Sequence, residues 1–202
     1  PDITKLDARE RSAWERALFT LPNDLGCVNI AFESGIRFFR DEDLERAVEV
    51  YSSTMIPGLE RAVARLNGAR LLDVKPVLRD QRDRYLGLLL RSRTDCNLFD
   101  AQVASNNFLL GKGDPEPQRR RLREAILREI DNTSDWISLL KTSKTNFFHI
   151  AVQEETPFLH KTPLEDFMLK TSVMQAHLDD EPGPYFPELA QPKPELMFSA
   201  IQ

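Results

Sequence analysis

Two carboxylates and two histidines gather in the last third of the chain. Glu154, Glu155 and His160 lie within Glu154-Glu155-Thr156-Pro157-Phe158-Leu159-His160, and His177 precedes Asp179-Asp180-Glu181. Carboxylates beside imidazoles can move protons near neutral pH or hold a cation. As catalytic candidates, these four would converge in one pocket of a self-contained helical enzyme. The same residues also suit plainer roles. Glu154 and Glu155 can pair with arginines of neighbouring helices, and His177 can sit favourably at a helix C-terminus.

A second set lies on one long apolar-striped segment. Arg82, Tyr85 and Asn106 could bind a polar neutral ligand such as a carbohydrate, with Tyr85, Trp14 or Trp136 as stacking faces. Core packing accounts for the same aromatics. The Arg–Asp pairs that crowd this segment would fix helix contacts. The run Arg119-Arg120-Arg121 reads as a solvated face, with Arg120–Glu124 and Glu124–Arg128 as four-apart pairs.

Other chemistries find no support in the residue pattern. His149, His160 and His177 form no H-E-x-x-H or E-x-x-H motif, so no metal site is expected. Gly111-Lys112-Gly113 lacks the following G-K-[ST] of a phosphate loop, and no G-x-S-x-G elbow occurs. No cofactor is expected. Cys27 and Cys96 sit in apolar patterns that fit buried thiols, and a disulfide between them stays open. Asn132-Thr133-Ser134 matches a glycosylation acceptor but falls inside a helical pattern.

The elements that must position these residues are helices. The 202 residues include only 8 glycines, and apolar residues recur every third or fourth position. Helices are expected over residues 2–22 and 24–39. A third starts at Asp41 and kinks at Pro57 or restarts there with Ser53 or Thr54 as cap. A fourth runs from Pro76 to Leu110, with Leu78, Tyr85, Leu88, Leu89, Ser92, Cys96, Phe99, Val103 and Leu110 on its seam. Asp114-Pro115-Glu116 opens a fifth, reaching about Leu140. Thr162-Pro163-Leu164-Glu165 opens a sixth, ending near His177. The expectation is an all-α fold: an antiparallel bundle of about six helices over residues 1–180. An irregular segment lies near 142–161, and residues 181–202 form an extended Pro-rich arm.

Residues 75–185 resemble the helical C-terminal region of large bacterial glycoside-hydrolase-like proteins. The resemblance rests on Arg119-Arg120-Arg121-Leu122-Arg123, on Glu129-Ile130-Asp131-Asn132-Thr133, on Glu155-Thr156-Pro157-Phe158 and on Asp179-Asp180-Glu181-Pro182. It implies an acid pair in a separate barrel domain. The alternating strand–helix pattern of such a barrel is absent here, so no catalytic residue carries over.

Composition sets the remaining bounds. A net charge of −5 excludes a basic surface for nucleic acid, and the apolar runs are too short to span a membrane. A chain starting Pro1-Asp2 reads as a processed product or an excised domain. The expected role is therefore a non-catalytic accessory or C-terminal module. Its expected partners are a neighbouring catalytic domain or other protein, a carbohydrate, or a second copy in a homodimer.

Overall fold

A computed structural model describes residues 41–70, 72, 74–147, 163–176 and 178–179. These residues are all-α: they hold four helices and no strand. The helices expected before residue 41 and the arm over 181–202 lie outside the described residues.

Helix α1 runs unbroken through Asp41–Val50, a π-helical stretch Tyr51–Met55 and Ile56–Asn67. The expected capped restart at Pro57 does not occur, since the helix passes into Ile56–Asn67 through the π stretch with no side-chain cap. A proline ring collides with the carbonyl four residues back and offers no amide. The wider π turn takes up this misfit, and Ile56 N–H bonds to the Tyr51 carbonyl five residues back. Ser53 and Thr54 cap nothing: their hydroxyls face each other at 3.3 Å.

Helix α2 spans Pro76–Leu109, roughly 50 Å of axis. Gly111 and Gly113 end the segment at φ of +64° and +83°, a region that residues with a Cβ avoid. Helix α3 follows at Pro115–Thr142. Asp114 caps it by accepting the Glu116 amide at 3.1 Å. Helix α4 is Pro163–Ala176.

The pairing of side chains fixes the helix directions. Glu60 of α1 meets Arg93 of α2, while the earlier Val48 meets the later Cys96, so α1 and α2 are antiparallel. Asn132–Leu90 and Arg128–Asp100 give the same result for α2 and α3. On α4, Phe167 stacks on Trp136 and Lys170 reaches the earlier Glu129, so α3 and α4 also oppose each other.

Two apolar clusters lie between these helices. One joins Leu44, Leu98, Val103, Ile126, Ile130 and Met174. The other joins Leu90, Trp136, Leu139 and Phe167. The seam of α2 departs from expectation: Tyr85 and Leu88 are 41% and 52% exposed, and Leu90, Leu98 and Ala104 are buried instead. Because α1 and α3 both pack on α2, its buried arc is wide, and three-or-four spacing alone does not choose among its faces.

After α3, Ser143 donates to the Asp83 carboxylate, and Thr145 donates to Asp80 at 2.9 Å. These bonds moor residues 143–147 to α2 and seat Phe147 against Gly87. No described helix is long and apolar enough to cross a membrane.

Candidate functional site

The buried polar residues converge on Glu129. Its side chain is fully enclosed, and Lys170 beside it is 1% exposed. Lys170 Nζ and Thr94 Oγ1 (2.7 Å) donate to Glu129 Oε1, and Asn97 Nδ2 donates to Oε2 at 2.9 Å. Asn132 Nδ2 bonds to the Leu90 carbonyl at 2.9 Å and to Thr94 Oγ1 at 3.0 Å. Thr133 Oγ1 returns to the Glu129 carbonyl at 2.7 Å. One carboxylate thus ties α2, α3 and α4 together.

A second carboxylate extends the network toward solvent. Asp100 accepts from Arg121 Nε at 2.7 Å and from the Arg128 guanidinium. Arg128 Nε also donates to Asn97 Oδ1 at 3.2 Å. The expected Arg120–Glu124–Arg128 ladder along α3 is replaced by these bonds across to α2. Elsewhere in the run, Arg119 lies over the Phe108 ring at 4.8 Å.

Chemically, this centre is a clamp. A buried ion pair stabilises only if its remaining lone pairs find donors, and Glu129 has four donor side chains, Asn132 Nδ2 the most distant at 3.5 Å. Those bonds occupy both carboxylate oxygens and leave no open approach for a substrate. Trp136 borders the clamp and stacks on Phe167 at 5.3 Å, so it belongs to the interior.

Beside the clamp, a groove of about 380 Å³ opens between α1, α2 and α3. Ser52 and Ile56 from the π region form one wall, and Arg93, Cys96 and Asn97 the second. Arg128, Asp131, Asn132 and Asp135 form the third. Burial raises the Cys96 thiol above its ordinary value, and Asp100 adds to this, which keeps the sulfur protonated at neutral pH. Burial likewise raises Asp95, opposed by the Arg91 guanidinium. Tyr51 is raised by burial and by the charge of Asp95.

The sequence candidates are distributed differently. Glu154, Glu155, His160 and His177 lie outside the described residues. Arg82 stands 2.5 Å from its neighbour Asp83. Tyr85 is largely solvent-facing, and Asn106 accepts from Gln102 at 2.6 Å. Asn106 lies roughly 30 Å along α2 from Tyr85, so Arg82, Tyr85 and Asn106 do not share one site. Cys96 is a free thiol. Among the described residues no cluster of His, Cys, Asp and Glu could hold a metal. Asn132 is buried within α3, which closes the glycosylation acceptor in the folded chain.

Sequence reasoning missed the clamp. Its signal was present: Lys170 sits three residues after Phe167 and four before Met174, at a core position of α4. Glu129 likewise falls between Ile126 and Ile130 on the seam of α3.

No protein-family model, curated protein or solved structure matches the chain.

Proposed function

We propose that the chain is a non-catalytic helical module, an antiparallel bundle that supports a neighbouring catalytic domain or another protein partner. One observation carries this reading. The strongest concentration of buried charge, at Glu129 and Lys170, is fully engaged in joining three helices and is sealed from any substrate. Residues 181–202 would serve as an extended arm against the bundle or the partner. The resemblance over residues 75–185 adds a bacterial carbohydrate-processing enzyme as the host.

The test uses the 202-residue chain alone. Assayed against a panel of glycosides, it should give no hydrolysis. Robust turnover, lost on replacing Glu154 and Glu155 by glutamine, would overturn the module reading in favour of a self-contained enzyme. Sedimentation should give a mass independent of concentration. Reversible self-association would instead favour a homodimerising structural protein.

A further inference from the structure

The chain's net charge of −5 conceals a basic end of the bundle. Arg61 and Arg65 lie in the last two turns of α1, Arg70 and Lys75 in the connection, and Arg79 in the first turn of α2. Lys141 lies in the last turn of α3. Lys144 follows between Ser143 and Thr145, whose hydroxyls bond Asp83 and Asp80, so it stands beside the start of α2. All seven cations are exposed, and none has an ion pair or side-chain hydrogen bond among the described residues. The nearby acids are taken: Asp80 by Arg84 and Thr145, and Asp83 by Arg82 and Ser143. In sequence, Asp73 is the one acid between Glu60 and Asp80, and none falls between Asp135 and Glu154.

The arginines of the opposite end are treated differently: Arg119, Arg121 and Arg123 pair with Glu116, Asp100 and Asp179. At the basic end, two cations also sit against a local preference. Lys75 is the N-cap of α2 with no side-chain cap bond, and the first turn holds no acid. A helix start carries partial positive charge and favours acids, so the fold gains nothing from Lys75 and Arg79 there. Among these cations stand Val74 and Val77, 71% and 60% exposed, the two most open of the large apolar side chains described.

We propose that this end docks on an anionic lipid bilayer. Val74 and Val77 would enter the headgroup boundary, and the cations around them would meet the lipid phosphates and carboxylates. A cluster of about four to eight Lys and Arg beside exposed apolar side chains suits such a surface. The cations come from three helices and a connection and spread over the end of the bundle. Mobile lipid charges can follow such a spread, whereas a protein partner needs fixed carboxylates opposite each one. The contact is peripheral, since no described helix can cross a bilayer. This inference goes beyond the module reading and stands without it.

The experiment sediments the full chain in low salt with vesicles of phosphatidylcholine, alone or mixed in equal parts with phosphatidylserine. Binding is expected only to the mixed vesicles and should fade as salt is raised. Lys75→Glu with Arg79→Glu removes two cations and suits the helix start, so the fold is kept, which circular dichroism checks. At about fivefold per cation, this double variant should weaken binding about 25-fold or more. Val77→Ser should weaken it about threefold. Arg120→Glu, at the opposite end of the bundle, should leave it within about twofold. Equal binding to both kinds of vesicle, binding to neither, or an equal loss in Arg120→Glu would overturn the proposal. Tighter binding to poly-L-glutamate than to the mixed vesicles would overturn it in favour of an acidic protein partner.

Discussion

Between Glu129 and Trp136, two turns of α3, the interior changes from ionic to aromatic. At Trp136, flat rings meet: Phe167 stacks on one face and Phe147 meets it edge-on at 5.9 Å. At Glu129, hydrogen bonds with fixed directions replace area. Ring burial contributes much free energy but tolerates sliding. The carboxylate contributes little net free energy, yet it penalises any register that separates it from Lys170, Thr94 or Asn97. The two regions divide the work: the rings hold the helices together and the clamp fixes how they align.

The largest expected effects break each region in turn. Glu129→Leu strips the buried Lys170 ammonium of the carboxylate it donates to and should cost about 3–5 kcal/mol by urea denaturation. Adding Lys170→Met should recover most of that loss. If the double variant is as unstable as the single one, the clamp carries more than register. Trp136→Ala should also cost about 3–5 kcal/mol, but with no second change that restores it. A midpoint that barely moves would mean that the ring cluster is not a core.

A smaller effect sharpens the aromatic side. A Cβ on Gly87 would stand 3.0 Å from Phe147 Cδ1 and 3.3 Å from the Trp136 ring. Gly87→Ala gains about 1 kcal/mol of helix propensity but must displace the rings, at about 1–3 kcal/mol. A net loss is expected, turning to a gain when Phe147 is also reduced to alanine. Equal effects in both backgrounds would contradict the close approach.

The smallest effects are titrations. Hydrogen bonds from Arg84 and Thr145 lower the Asp80 carboxyl below its ordinary 3.8. The stability it contributes is present above that value and lost as pH falls through the lowered one. Asp80→Asn should flatten this acid limb of a denaturation profile. Asp95 behaves oppositely, because burial raises it. Its contribution is present in acid and lost as pH rises through the raised value, so Asp95→Asn should help slightly at about pH 7 and not in acid. A benefit that is the same at both ends would exclude burial as the cause.

Helix boundaries were legible because their causes are local. Asp114-Pro115-Glu116 and Gly111-Lys112-Gly113 act through the bonds and dihedrals of neighbouring residues, and the expected breaks fall where the structure has them. The clamp was not legible because its distant partners come from two other helices, 32 to 41 positions from Glu129. Lys170 between Phe167 and Met174 was the available clue, a charge placed where the stripe calls for grease. Tyr85 and Leu88 misled for a related reason: α2 is gripped from two sides, so its outer apolar residues share the spacing of its inner ones.

The π turn in α1 acts as a phase corrector. Leu44 and Val63 are both buried and lie 19 positions apart, one on each side of it. At about 100° per residue, an uninterrupted α-helix would rotate them roughly 100° out of line, leaving one of them to face water. One surplus residue absorbed in the wide turn restores the count to five whole revolutions. Deleting a single residue from 51–55 while replacing Pro57 by alanine should therefore yield a straight rod that still offers both side chains to α2. The same deletion with Pro57 retained should not.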